Sequence, residues 1–150
     1  MDRDDVVETL NDLIENCKDG EYGFRTCAEH AKSSNLKSVF AERAAGCRAG
    51  AEELQTLVTR FGGKPDTTGT VSGAMHRGWV AVRGTVALDD DQAMLNECER
   101  GEDIAINRYR KALEQDLPAD VEQVVRRQYE GARRNHDQIK ALRDSNKTTA

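Results

Sequence analysis

A short motif occurs twice in the chain, and its spacing limits the folds that the chain can adopt. The segment Cys-Lys-Asp-Gly-Glu at 17–21 recurs as Cys-Glu-Arg-Gly-Glu at 98–102, which is 81 positions later. In both copies the cysteine and the final glutamate are four residues apart, so they share one face of a helix. Because the rest of that face is apolar, the pattern predicts that the carboxylates of Glu21 and Glu102 lie inside a helical bundle.

The helices are predicted from apolar residues that recur at steps of three and four along most of the chain. Their expected ranges are 4–31, 35–61, 71–88, 90–115 and 118–143, and the tail 145–150 is expected to fray. The order is a hairpin, a long connection with its own short helix, and a second hairpin. This order predicts an all-α four-helix bundle with one long crossover that contains a short extra helix. Residues 1–150 are the size of a single domain.

Composition and charge narrow the classes of function. The formal charge is −5, and lysine and arginine are spread through every segment, which argues against nucleic acid as a partner. The chain has no apolar run long enough to cross a membrane, and its first residues, Met-Asp-Arg-Asp-Asp, are unlike a signal peptide. We therefore expect a cytoplasmic protein that has no membrane partner. In that compartment the four cysteines are expected to be reduced thiols.

Five phrases of the sequence carry a resemblance to known proteins. They are Glu8–Glu15, Cys17–Glu21, Met75–Trp79, Cys98–Asp103 and Gln128–Tyr129. Over nearly its whole length the chain resembles the ferritin-like superfamily, and more narrowly a bacterial family of small four-helix-bundle proteins with no assigned function. The resemblance implies the ferritin-like fold, whose di-iron centre lies at the middle of the bundle. In that comparison Glu21 and Glu102 match the single carboxylates, and His136 is a candidate for one of the two histidines.

The resemblance also shows a departure from the di-iron pattern. Arg48 and Arg133 stand where the bridging glutamates are expected, and Ala51 replaces the other histidine. Because a buried carboxylate without a cation is costly, we expect two structural ion pairs, Glu21–Arg48 and Glu102–Arg133, in place of the metal. The leading hypothesis is a non-catalytic cytoplasmic protein without a cofactor. It would have a stress-associated or interaction role and would self-associate as a homo-oligomer.

The alternative hypothesis is a metal-binding or thiol redox protein. Its candidate metal ligands, for iron or zinc, are Glu21, Glu102, His136, Cys17 and Cys98. A redox role would be helped by a nearby arginine that lowers the pKa of a thiol. Each of these residues also has a purely structural interpretation, since a buried cysteine is commonly a small hydrophobe. A small-ligand pocket between the helices is a third possibility, for which the sequence contains no pattern.

Overall fold

Four long α helices account for most of the chain. The structure is a computed structural model, and it describes residues 1–67 and 90–149. The helices are α1 (Arg3–His30), α2 (Ser34–Arg60), α3 (Asp91–Leu113) and α4 (Ala119–Thr149). None of them is both long and apolar enough to span a membrane. The extra helix expected at 71–88 lies outside the described residues.

Side chains at the helix ends explain where these helices begin and end. The side chains of Asp2, Ser33 and Asp90 each accept a hydrogen bond from a backbone N–H in the first turn of the helix that follows. Such N-caps satisfy amide groups that have no partner inside the helix. After α2, Gly62 has a φ of 75°, a left-handed conformation that favours glycine and stops the helix.

The contacts at the two ends of the bundle fix its topology. At one end, Arg60 Nη2 donates to Asp120 Oδ2 at 2.9 Å, so α2 ends beside the start of α4. At the other end, the backbone N–H of Ser33 donates to Asp91 Oδ2 at 3.1 Å, so α3 begins beside the joint between α1 and α2. The connection 61–90 therefore links opposite ends of the bundle. This arrangement confirms the all-α four-helix fold with one long crossover.

The hydrophobic core is divided into two clusters along the bundle axis. The first cluster contains Val6, Leu10, Leu13, Ile14, Ala51, Leu54, Val58, Tyr109, Val121 and Val125. The second cluster contains Phe24, Cys27, Leu36, Phe40, Met94, Leu95, Cys98 and Ile139. The two copies of the sequence motif contribute to different clusters, since Cys17 belongs to the first and Cys98 to the second, and both copies line the cavity described below. At that level the side chains are small, and the packing of the bundle is interrupted.

The end of α4 differs from the expectation that residues 145–150 fray. The helix continues through Thr149, past the expected end at 143. Its last turns contact the first turn of α3, where Asn146 Nδ2 donates to Gln92 Oε1 at 2.8 Å. One turn earlier, Arg143 Nη1 donates to Glu99 Oε1 at 2.5 Å. These contacts with α3 hold a polar segment in a helix that its composition alone does not predict.

Candidate functional site

A cavity of about 380 Å³ lies at the centre of the bundle, and all four helices line it. Each helix contributes at least one glycine to the wall: Gly20, Gly50, Gly101 and Gly131. The residues of α1 and α3 that line the cavity are mostly buried and form its inner wall. Those of α2 and α4 include exposed residues such as Glu42 and Arg134. The cavity therefore opens between α2 and α4. Cavities between the helices of a bundle are common places for ligand binding.

Glu102 is the buried carboxyl group on the inner wall. The residue is only 6% exposed, and its Oε1 atom is buried without a hydrogen-bond partner in the described part of the chain. Desolvation raises the pKa of Glu102 to about 8, and the charges of Asp103 and Glu99 add to the rise, whereas the Arg43 guanidinium opposes it. At neutral pH the side chain is therefore mostly a neutral carboxylic acid, which can donate as well as accept a hydrogen bond.

Arg43 brings a second unpartnered polar group to the same cavity. It lies on α2, one helical turn before Cys47, and both residues line the wall. The Nε atom of Arg43 is buried and has no hydrogen-bond partner within residues 1–67 and 90–149. A donor from α2 and a neutral acid from α3 thus share one cavity.

The thiols and the phenol of the cavity are neutral at physiological pH. Desolvation raises the pKa of Cys17 to about 11, and it raises the pKa values of Cys47 and Tyr109 well above their usual range. The Arg43 guanidinium lowers the pKa of Cys47, but desolvation is the larger effect. The arginine-activated thiol considered from the sequence is therefore wrong for Cys47, because burial acts more strongly than the neighbouring charge.

A hydrogen-bonded network closes the cavity on the side of the first core cluster. Tyr109 Oη donates to Gln128 Oε1 at 2.8 Å, and Gln128 Nε2 donates to Glu53 Oε1 at 2.8 Å. Cys17 Sγ lies 3.5 Å from Tyr109 Oη. These four residues come from the four different helices, so the network ties the whole bundle together. The network was not predicted from the sequence, although Gln128 lies in one of the phrases that carry the family resemblance.

The expected ion pair between Glu21 and Arg48 is not formed. Glu21 is buried, but Arg25 Nη2 donates to its Oε2 at 2.6 Å and Lys18 Nζ lies 3.6 Å from its Oε1. Arg48 is exposed and donates from Nε to Glu52 Oε1 at 3.2 Å. Both arginines pair with a carboxylate one helical turn away, and such i, i+4 partners need no reach between helices.

The expected pair between Glu102 and Arg133 is likewise corrected. The Arg133 guanidinium lies 5.8 Å from the centre of the Tyr129 ring, and the residue is exposed on α4. This cation–π contact holds the arginine outside the cavity. Glu102 therefore lacks the partner that the sequence suggested, and the cation that lowers its pKa is the Arg43 guanidinium.

The candidate metal ligands from the sequence do not converge on one point. Glu102 and Cys17 line the cavity, whereas Glu21 is engaged by Arg25. Cys98 lies in the second core cluster, with its Sγ atom 3.6 Å from Cys27 Sγ. The donor set at the cavity does not fit a di-iron centre, because Glu102 is the one buried carboxyl group among the residues that line it, and such a centre needs several carboxylates.

His136 belongs to a different group, between α3 and α4. Its Nε2 atom lies 2.7 Å from Asp103 Oδ1, and its side chain is 19% exposed. Ligand atoms of Glu99, Asp103 and His136 all lie within 4.8 Å of one another, and this is the one group of that kind that the described ranges contain. Asp103 follows Glu102 directly, but it is exposed and does not line the cavity, whereas Glu102 does.

Several solved structures share this fold. The dodecameric thioferritin of Bacteroides fragilis, a bacterioferritin-related protein, is 16% identical over 99% of this chain and 90% of its own, with a TM-score of 0.83. A mutant of Dps1 from Mycobacterium smegmatis is 18% identical over 94% and 96% of the two chains, with a TM-score of 0.78. A ferritin-like diiron-carboxylate protein from Bacillus anthracis is also 18% identical, over 95% and 99%, with a TM-score of 0.75.

At such identities these similarities establish the ferritin-like fold. No curated protein matches the chain. Residues 5–115 match the family described as "Domain of unknown function (DUF2383)". Because this match covers well over half of the 150 residues, the chain belongs to the DUF2383 family, whose member described here has the ferritin-like four-helix fold.

Proposed function

We propose that this chain is a ferritin-like binding protein whose central cavity takes a small organic molecule. The observation that carries this proposal is the buried Glu102 carboxyl group, which lines a cavity of about 380 Å³ and whose Oε1 has no hydrogen-bond partner among the described residues. The volume is within the range of about 300 to 1,000 Å³ that is usual for small-molecule sites. A buried polar atom without a partner costs free energy, and a ligand with a hydrogen-bonding group would remove that cost.

The proposed role is non-catalytic binding. The cavity contributes one buried carboxyl group and two thiols, which is a donor set unlike the carboxylate cluster of the di-iron fold relatives. A cytoplasmic location and a stress-associated or interaction role remain part of this proposal. The cavity would then act as a sensor or carrier site.

Self-association is a further part of the proposed function. The structurally similar thioferritin from Bacteroides fragilis is dodecameric. We propose that this chain also forms a homo-oligomer through the outer faces of its helices. Size-exclusion chromatography with light scattering tests this directly, and a strict monomer at micromolar concentration would contradict it.

Nuclear magnetic resonance tests the cavity itself. Adding benzyl alcohol or benzoate to isotope-labelled protein should shift the backbone amide signals of Gly20, Gly101 and Gly131, which line the cavity. The signal of Gly62, at the end of α2, should not move. Shifts that are absent at saturating probe, or equally large at Gly62, would overturn the proposed function.

A matched pair of variants separates the cavity from the surface. Ala105→Phe places a large side chain on the cavity wall and should abolish the probe-induced shifts. Ala45→Phe adds the same ring at an exposed position of α2 and should leave them unchanged. Melting curves of both variants establish that they are folded, and retained binding in a folded Ala105→Phe protein would contradict the location of the site.

Metal binding is a second candidate function, and one observation favours it. Glu99, Asp103 and His136 can offer one nitrogen and two oxygen ligands to an ion such as zinc or iron. The Arg143 guanidinium beside Glu99 opposes a cation there. Calorimetric titration with zinc tests this site: His136→Ala should remove binding, whereas His30→Ala, at the exposed end of α1, should not. Equal zinc binding by both variants would reject it.

A further inference from the structure

Two buried polar atoms of the residues that line the cavity lack hydrogen-bond partners within residues 1–67 and 90–149, and they come from different helices. They are Nε of Arg43 on α2 and Oε1 of Glu102 on α3. The two side chains interact electrostatically, but no hydrogen bond joins these two atoms. Buried groups of this kind nearly always have a partner in native proteins. A molecule with an acceptor oxygen could satisfy both groups at once, since the guanidinium donates and the neutral carboxyl group can donate.

We propose that the cavity binds a small monocarboxylate with an apolar body. This inference rests on the proposed binding function and names its ligand class. The ligand carboxylate accepts hydrogen bonds from the Arg43 guanidinium and from the protonated Glu102 side chain. Hydrogen bonds to a charged acceptor are shorter and stronger than those between neutral groups, so this end of the ligand fixes its orientation.

The rest of the cavity suits the apolar body of such a ligand. Phe24 and Tyr109 present aromatic surface, and Cys17 and Cys47 present neutral thiols that behave as small hydrophobes. At Gly46 a Cβ atom would meet nothing within 4 Å, so this part of the wall leaves open space. A ligand whose polar group lies at one end therefore matches a wall that is polar near Arg43 and Glu102 and apolar elsewhere.

The charge around the opening favours an anion over a cation. Arg127 and Arg134 are exposed on the α4 side, and Glu42 is the acidic residue on the α2 side. Together with Arg43, the lining carries three guanidinium groups and one ionised carboxylate while Glu102 is protonated. Part of the charge of Arg127 is balanced by its ion pair with Glu53. An ammonium group at the same place would meet net repulsion.

Binding of a carboxylate should depend on pH through Glu102. The titratable and charged groups that line the cavity or act on Glu102 are Cys17 on α1, Glu42, Arg43 and Cys47 on α2, Glu99, Asp103 and Tyr109 on α3, and Arg127 and Arg134 on α4. The thiols and the phenol on this list remain neutral while Glu102 titrates, because burial has raised their pKa values. Ionised Glu102 would repel the ligand and could no longer donate to it.

The test compares three probes with nearly the same apolar body. Benzoate, benzyl alcohol and benzylamine are titrated into the full chain by calorimetry at about pH 6, where Glu102 is protonated. We expect benzoate to bind about tenfold or more tightly than benzyl alcohol, and benzylamine to bind least. Raising the pH to about 9 should weaken benzoate binding by about tenfold and leave benzyl alcohol binding nearly unchanged.

Variants assign the preference to the two side chains. Arg43→Met should remove the preference for benzoate, whereas Arg48→Met, an exposed arginine on the same helix, should keep it. Glu102→Gln retains a hydrogen-bond donor but cannot ionise. The variant should therefore prefer benzoate at both pH values, so at about pH 9 it should bind benzoate more tightly than the parent protein does. A misfolded protein could not show this gain in affinity.

The possible outcomes distinguish an error in the ligand class from an error in the binding site itself. Equal affinity for benzoate and benzyl alcohol, or an unchanged preference in Arg43→Met, would overturn the monocarboxylate while the cavity remained a binding site. Failure of all three probes to bind the parent protein would overturn the proposed function and this inference together. Preference for benzylamine would show that a cation is the preferred ligand and would also reject the proposal.

Discussion

The two copies of the repeated motif place their glutamates in opposite electrostatic environments. Glu21 is buried near the α1 surface with two cations beside it, and Arg25 donates to it at 2.6 Å. Glu102 is buried to a similar degree, but its Oε1 has no hydrogen-bond partner in the part of the chain that the structure describes, and its pKa is raised to about 8. The same short motif thus yields an ion-paired carboxylate in one hairpin and a neutral acid in the other.

The residues one helical turn away account for this difference. Glu21 has Lys18 three residues before it and Arg25 four residues after it. The same positions relative to Glu102 hold Glu99 and Ile106, an acid and an apolar side chain. When cations lie at positions i−3 and i+4, side chains of the same helix balance the charge of the carboxylate. Without them, only other helices or a ligand can provide a partner for the carboxyl group. Local sequence therefore decides which copy of the motif becomes the candidate site.

The largest expected effect is that of Glu102→Gln on stability. Because the folded pKa of about 8 is above the ordinary value of 4.5, Glu102 favours folding fully only below pH 4.5, and this stability is lost as the pH rises to 8. Glutamine does not ionise, so the variant should be more stable than the parent protein by on the order of 4 kcal/mol above pH 8 and nearly equal to it at low pH. Urea unfolding across this range measures the difference.

Glu21→Gln is the matched control, since it removes the other buried carboxylate. It loses the contacts with Arg25 and Lys18, so it should be slightly less stable than the parent protein at neutral pH, by about 1 kcal/mol or less because Arg25 is exposed. If Glu21→Gln stabilised the protein, or if Glu102→Gln destabilised it above pH 8, the contrast between an ion-paired Glu21 and a neutral Glu102 would be contradicted.

Ile106→Lys supplies the cation that Glu102 lacks at its i+4 position. The new ammonium group can reach the carboxyl group one turn earlier and should lower the pKa of Glu102 by about one unit. The pH range over which the free energy of unfolding falls should then end about one unit lower. Urea unfolding at a series of pH values measures this. An unchanged pH profile would mean that the Glu102 side chain is turned beyond the reach of its own helix.

The sequence predicted the fold well because the relevant signals are local. Capping side chains at Asp2, Ser33 and Asp90 and the stop at Gly62 are read directly from residue type. The ion partners were mistaken because the position of a residue in the sequence indicates its height on a facing helix but not its rotation about the helix axis. Cys47 and its i−4 neighbour Arg43 line the cavity, while Arg48, one residue on, is exposed. The spacing of Arg43 from Cys47 was the available signal.

The helices α1 and α2 pack closely beside Glu21, whereas free space remains on the α2 side of the cavity opening. A Cβ atom at Gly20 would lie 2.8 Å from Cys47 Sγ, whereas one at Gly46 would meet nothing within 4 Å. Gly20→Ala should therefore destabilise by about 1 kcal/mol, and Gly46→Ala should stabilise by about as much through helix propensity. Thermal unfolding compares them. Adding Cys47→Ala to Gly20→Ala should restore stability, and its failure to do so would reject the steric explanation.

The smallest effects are expected at the two arginines that the sequence paired with the motif glutamates. Arg48→Met and Arg133→Met each change an exposed side chain, so each should alter the free energy of unfolding by less than about 0.5 kcal/mol. Urea unfolding near neutral pH is sufficient. A loss of several kcal/mol in either variant would indicate that a buried carboxylate depends on that arginine after all.

The protonation state of Glu102 can be observed directly by following its side-chain carboxyl carbon with nuclear magnetic resonance while the pH is varied. The signal can be assigned by its absence in Glu102→Gln. A neutral acid in the central cavity should titrate with a midpoint near pH 8. A midpoint near the ordinary value of 4.5 would mean that Glu102 is an ionised, solvated or paired carboxylate, and would contradict both the cavity chemistry and the ligand class inferred from it.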